Sequence, residues 1–158
     1  MLPDGTVLIL GGMGSNSQPM AEPQILDPED GTARPLSIPG TTPRAHHTAT
    51  LLTDGRVLIA GGNDASGKAS AAADVWTPQT GALDTAALAT STGRSGHTAT
   101  LLSNGSVLLW GGQGASTAGG EIFDPETATF RRVTTAPSVP HDSDPPVSRR
   151  RCPRRARR

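Results

Sequence analysis

The chain has 158 residues, 34% of them apolar, and a formal net charge of zero. It has no Tyr and a single Cys, Cys152, which excludes an intrachain disulfide and a cysteine metal cluster. It has no run of about 18 apolar residues, so no helical membrane span is expected.

The zero charge is an average of two unlike parts. Seven of the fourteen basic residues lie in the last ten positions, and residues 1–148 hold seven basic against fourteen acidic side chains, a net of −7. The body is therefore mildly acidic and the tail strongly basic. With 19 Gly and 14 Pro, turns are dense, and the recurring short apolar runs between them predict an all-β chain. No basic segment followed by an apolar one opens the sequence, so no signal peptide is expected in it.

In chain order, the first predicted strands are Thr6–Leu10, Gln24–Leu26 and a weak one at Thr32–Arg34. The next four are Thr48–Leu52, Val57–Ala60, Ala73–Trp76 and Ala82–Thr85. The last four are Thr98–Leu102, Val107–Trp110, Glu121–Phe123 and Thr129–Val133. One phrase fixes this register: Asp4-Gly5-Thr6-Val7-Leu8-Ile9-Leu10-Gly11-Gly12 recurs fifty residues later from Asp54 and again, with Asn-Gly and Trp, from Asn104 to Gly112. Asp-Gly or Asn-Gly between apolar runs is a hairpin signal, read here as a primed turn at glycine's positive φ. In the middle unit, the strand Val57–Ala60 that follows is apolar on both faces, which implies cover on both sides. The double Gly permits a sharp exit or close backbone approach. Each unit therefore reads as a four-stranded antiparallel meander, a–b–c–d, with strand a missing from the first.

The period near fifty and the di-glycine after strand b resemble kelch repeats, the blades of a β-propeller, most closely bacterial kelch arrays and the central domain of galactose oxidase. The matching residues are Arg44-x-x-His47-Thr48-Ala49-Thr50-Leu51-Leu52 and its copy from Arg94, the Gly-Gly pairs, and the turn dipeptides Asp27-Pro28, Thr77-Pro78 and Asp124-Pro125. The family's aromatic pair around that Pro is Leu26/Ala33, Trp76/Leu83 and Phe123/Phe130, so only the third unit is complete and the first is expected to pack least well. The resemblance implies blades at residues 1–43, 44–93 and 94–137. Residues 138–158, rich in Pro and Arg, read as a disordered tail.

Three blades are few for a propeller, which closes with typically four to eight. Each uncovered sheet face forgoes on the order of 10 kcal/mol if roughly 400 Å² stays unburied. That is comparable with a whole domain's stability, about 5–15 kcal/mol. The expectation is a fragment, or one part of a homo-oligomer that completes the ring.

No catalytic constellation stands out. His47 and His97 recur with Arg44 and Arg94 as repeat residues, which is scaffold behaviour, and metal ligation would need three or four convergent groups. Galactose oxidase's copper-radical chemistry needs tyrosines and a cross-linked cysteine, so the resemblance does not carry that activity onto a chain without Tyr. Gly62-Asn63-Asp64-Ala65-Ser66-Gly67-Lys68-Ala69 approaches a phosphate-binding loop but has Ala in place of the Mg²⁺-binding hydroxyl and precedes a strand. Asn104-Gly105-Ser106 is a formal glycosylation sequon inside a tight turn and reads as turn chemistry. The Arg-rich tail has no interleaved aromatic, so nucleic-acid binding is not expected despite its charge. No cofactor and no metal are expected.

A meander places the a–b and c–d turns on one face and the b–c loops with the d–a connections on the other. The b–c loops (Met13–Pro23, Asn63–Ala72 and Gln113–Gly120) vary, and variable loops on a constant scaffold are where recognition sits. Asn16, Gln18, Asn63, Asp64, Lys68 and Gln113 are the candidate contact residues for a protein or glycan partner. The expected function is a non-catalytic binding scaffold. The alternative is a fragment of a secreted galactose-oxidase-like enzyme whose catalytic residues lie outside this chain.

Overall fold

A computed structural model describes residues 1–20, 22–85, 89–114 and 119–133. The tail, with His141 and Cys152, and the proposed boundary at residue 137 lie outside these. The described residues form three antiparallel sheets: β1 (Val7–Ile9), β2 (Gln24–Leu26) and β3 (Ala33–Pro35); then β4 (Thr48–Leu51), β5 (Val57–Ala60), β6 (Ala73–Thr77) and β7 (Ala82–Asp84); then β8 (Thr98–Leu101), β9 (Val107–Trp110), β10 (Gly120–Asp124) and β11 (Thr129–Val133). In each sheet sequential strands are neighbours. This is the expected all-β meander architecture of a partial β-propeller, and all eleven expected strands are present to within a residue or two at each end.

Side-chain alternation assigns the faces. In β5, Val57 and Ile59 point toward the first sheet, where they pack with Leu2, Ile38 and Trp76 and meet Leu8, Leu10 and Ile25. Leu58 and Ala60 point the other way, into a second core with Leu52, Val75, Val107, Leu109 and Phe123. So the continuous apolar run of β5 is buried throughout, as expected. The other two b strands differ. In β9 the inward Val107 and Leu109 are buried while Trp110 is 42% exposed, and in β1 Ile9 is 41% exposed. Among the described residues, only the middle sheet has a neighbour on each side.

The aromatic pair is a cross-strand pair. Leu26 stands opposite Ala33, Trp76 opposite Leu83 and Phe123 opposite Phe130. The two Phe rings lie 5.0 Å apart at 44°. The first sheet, which lacks both aromatics, has β3 wholly exposed.

The a–b turn departs from the expected primed type. Gly55 N–H donates to the Leu52 carbonyl at 3.1 Å and Leu52 N–H to the Arg56 carbonyl at 2.8 Å. Only Gly55, at φ 84°, has a positive φ in this loop. That is a three-residue loop, a type I turn followed by a left-handed glycine. The Asp54 carboxylate accepts from Arg56 N–H at 3.0 Å, and the Asn104 side-chain oxygen takes Ser106 N–H at 3.1 Å, so the sequon asparagine serves its turn.

Candidate functional site

The repeated residues meet at the joints between sheets. Gly12 N–H donates to the Arg44 carbonyl at 3.0 Å, and Gly62 N–H to the Arg94 carbonyl at 2.9 Å. The first glycine of the first two pairs lies against the following sheet: a Cβ on Gly11 would sit 2.7 Å from His47 Cε1, and one on Gly61 2.9 Å from His97 Cε1. The second glycine of the last two pairs lies against its own sheet, since a Cβ on Gly62 would sit 2.9 Å from His47 Cβ and one on Gly112 2.9 Å from His97 Cβ. In the middle unit, Gly61-Gly62 is thus a two-sided close approach, one glycine against the next sheet and one against its own.

The arginine side chains are used within their own sheets. Arg44 Nη2 donates to the buried Asp74 carboxylate at 2.6 Å and to the exposed Thr42 Oγ1 at 2.7 Å. Arg94 pairs with Glu121, whose other oxygen accepts Ser91 N–H at 2.7 Å. His97 Nε2 lies 2.9 Å from Thr48 Oγ1 of the preceding sheet. Burial first, then the Arg94 charge and His47, push His97 down to about 4, and burial and Arg44 push His47 down as well. Both rings are therefore neutral at pH 7, and the scaffold reading of the repeated histidines agrees with their placement.

The six candidate contact residues fall in three places. Asn63 and Gln113, fifty residues apart, share one cleft of about 230 Å³ with His46, Ser95, Gly96 and Gly112. Asn63 Oδ1 is buried there without a hydrogen-bond partner. The backbones of Asn63 and Gln113 are pinned by bridges to Ala45 and Ser95. Asn16 and Gln18 line a separate cleft of about 450 Å³ with Gly14, Pro19, Met20 and Glu22. Asp64 joins neither: its Oδ1 accepts from Ser66 N–H, Ser66 Oγ and Lys68 N–H at 2.6–3.0 Å, bonds that hold its carboxyl below the usual range. Lys68 is exposed on the same loop.

The first two b–c loops share one backbone frame. Gly14 N–H donates to Gln18 O and Asp64 N–H to Lys68 O, and Met20 N–H to Gly12 O as Ser70 N–H to Gly62 O. Their variability lies in the side chains. Residues 115–118 of the third loop are outside the described set. The loop that approaches a phosphate-binding motif runs into β6, a strand.

His46 was not among the candidates, yet it lines the shared cleft. It holds φ 57° where the next unit has Gly96 at φ 61°. The His/Gly alternation at the third position of Arg-x-x-His marks a left-handed residue, and that signal was available in the sequence. On the opposite face, a cleft of about 380 Å³ between the second and third sheets is lined by Thr53, Asp54, Arg56, Asn104, Asp124 and Glu126. Arg56 Nη2 crosses it to the Pro125 carbonyl at 2.9 Å.

No family model matches the chain, and no curated protein matches it. Among solved structures it is similar to a fungal alcohol oxidase of the AA5 family in complex with copper, at 18% identity and a TM-score of 0.64, covering 82% of this chain and 28% of that one. It is also similar to the protein YjhT, at 16% identity and a TM-score of 0.70, covering 87% of this chain and 51% of that one. The chain thus spans about half or less of the length of each. At these identities the likeness is one of fold.

The oxidase holds copper. The chain has no Tyr, and the described residues do not fit that metal, since they contain no group of three His, Cys, Asp or Glu side chains able to share an ion. His47 and His97 are spent on the joints.

Proposed function

We propose that the chain is a kelch-type repeat scaffold that binds a protein or carbohydrate ligand on the face carrying the b–c loops. The observation that carries this reading is the cleft in which His46, Asn63 and Gln113 converge, with Asn63 Oδ1 desolvated and unpartnered. A buried acceptor without a partner costs free energy, and a ligand hydroxyl or amide N–H would recover it. The lining is polar and holds no carboxylate, Lys or Arg, which suits sugar hydroxyls or a peptide backbone. The repeated residues beneath are committed to structure, so recognition falls to side chains that differ between units.

The test compares the chain with its Asn63→Ala/Gln113→Ala double variant on a glycan array and in crosslinking to a peptide library. Loss of a saturable signal in the variant, with unchanged melting, is the expected result. Retention of every signal counts against the cleft.

The likeness to the fungal oxidase favours a second reading, a fragment of a galactose-oxidase-like enzyme whose catalytic residues lie elsewhere. On either reading the outer sheets gain cover from further blades or from copies of the chain. Light scattering on the eluting protein, showing a monomer that melts sharply, would contradict that requirement.

A further inference from the structure

The three a–b turns are built alike and differ in the residue that caps them. Gly5, Gly55 and Gly105 each donate their N–H to the carbonyl three residues back, that of Leu2, Leu52 and Leu102, at 2.9–3.1 Å. The residue before each glycine supplies a side-chain oxygen: Asp4 accepts Thr6 N–H at 3.0 Å, Asp54 accepts Arg56 N–H at 3.0 Å and Asn104 accepts Ser106 N–H at 3.1 Å. The third turn therefore holds a carboxamide where its sisters hold a carboxylate. Asn104 is exposed, and of the chain's three asparagines it alone precedes a glycine. Glycine has no side chain to crowd an attack by its nitrogen on the neighbouring carboxamide.

We propose that Asn104 is a site of spontaneous deamidation, and that the turn steers the product to the aspartate its two sister turns carry. The Gly105 backbone nitrogen loses its proton and bonds Asn104 Cγ, the Cγ–Nδ2 bond breaks, and Nδ2 leaves with that proton as ammonia. Water then opens the five-membered imide. Cleavage between Cγ and the Gly105 nitrogen gives aspartate. Cleavage between that nitrogen and the main-chain carbonyl carbon gives isoaspartate, with the chain rerouted through Cγ. On either route one water enters and one ammonia leaves. The closed turn opposes the first step, because Gly105 is buried with its N–H on Leu102 and the Asn104 side chain is held toward Ser106. Reaction therefore follows local opening of the turn. The turn also discriminates between the products. Aspartate restores both bonds, and Ser106 brings a hydroxyl to the position from which Thr6 Oγ1 bonds Asp4 at 2.7 Å. Isoaspartate lengthens the main chain inside the loop, so the bonds from Gly105 to Leu102 and from Leu102 to Ser106 lose their register. That turn stays open, the imide forms again, and aspartate accumulates. The new carboxylate joins Asp54, Asp124 and Glu126 around Arg56, so the cleft on the turn face gains negative charge on an unchanged backbone.

The experiment incubates the full chain in warm, mildly alkaline buffer, native in one sample and unfolded by urea in the other. Peptide mapping by mass spectrometry follows the loss of Asn104 and tells aspartate from isoaspartate by fragmentation. The native chain is expected to lose Asn104 at least about tenfold more slowly than the unfolded chain, the protection a closed turn supplies. Aspartate is expected to exceed isoaspartate in the native sample, and isoaspartate to exceed aspartate in the unfolded one. In the unfolded sample Asn16 and Asn63 are expected to lag behind Asn104. The Asn104→Asp variant is expected to melt as cooperatively as the unaltered chain and at a similar temperature. Equal rates in the two samples, an excess of isoaspartate in the native chain, or a variant that melts several degrees lower would each overturn the proposal.

Discussion

The Gly62 N–H donates to the carbonyl of Arg94, 2.9 Å away, across the boundary between the second and third sheets. Gly61, beside it, faces the His97 ring so closely that a Cβ there would lie 2.9 Å from Cε1. Its counterpart Gly111 has no described atom within 4 Å of such a Cβ. The two glycines have similar backbones, φ 64° and 70°, so alanine strains both alike. Gly111→Ala is expected to cost about 1 kcal/mol, the left-handed penalty alone. Gly61→Ala adds overpacking of a joint and is expected to cost about 3 kcal/mol. Urea unfolding of the two variants checks the difference.

Ala128 occupies the left-handed position of the third c–d turn at φ 53°, where the first two turns have Gly31 and Gly81, both at φ 71°. Ala128→Gly is expected to stabilise the chain by about 0.5–1 kcal/mol, the relief of strain exceeding glycine's added chain entropy. The urea midpoint should rise with an unchanged slope.

The histidines of the joints make stability fall in mild acid. His97 is pushed from 6.5 down to about 4 in the folded chain, and His47 is lowered too. The unfolded chain binds these protons first, so the stability is fully present above about pH 6.5 and is lost as pH falls toward 4. The loss for His97 is on the order of 3 kcal/mol. Asp74, raised by burial, runs the opposite way just above its ordinary value, so the comparison is with His97→Gln. That variant should be less stable at pH 7 and show a flatter profile between pH 6.5 and 4.

The two tryptophans separate the covered face from the open one. Trp76 is 2% exposed in the first core and Trp110 is 42% exposed on the outer face of the third sheet. Trp76→Ala is expected to cost about 3–5 kcal/mol. Trp110→Ala is expected to stay within about 1 kcal/mol, as for other exposed positions. Acrylamide should quench Trp110 in the native chain and leave Trp76 largely unquenched.

The strands were legible because each apolar run is bracketed by Asp/Asn-Gly and Gly-Gly, and because two units confirm the third. Val57–Ala60 needed only its unbroken hydrophobicity to read as covered on both sides. Val107–Trp110 and Val7–Ile9 look alike in sequence; that each has a described neighbour on one side only follows from the count of three blades, which leaves the outer face of each end sheet open. The turn type was misjudged because Asp-Gly serves both primed turns and type I turns followed by a left-handed glycine; the count of loop residues, Thr53 to Gly55, decides. Asn63 and Gln113 were found by loop position, and their meeting follows from the fifty-residue register. Asp64 was named by loop position as well, and its letter alone does not tell an exposed carboxylate from one that also holds its own turn. His46 was overlooked because its role depends on a backbone angle that only comparison with Gly96 reveals.

The account rests on the glycine amides being the joints between sheets, and amide hydrogen exchange measured residue by residue by NMR tests this most directly. Gly12 and Gly62, which donate to Arg44 and Arg94, are expected to be protected, Gly62 about as strongly as the core of β5. Gly112, exposed at the end of β9, is expected to exchange near the rate of an unprotected amide. Equal protection of Gly62 and Gly112, or rapid exchange of both, would contradict it.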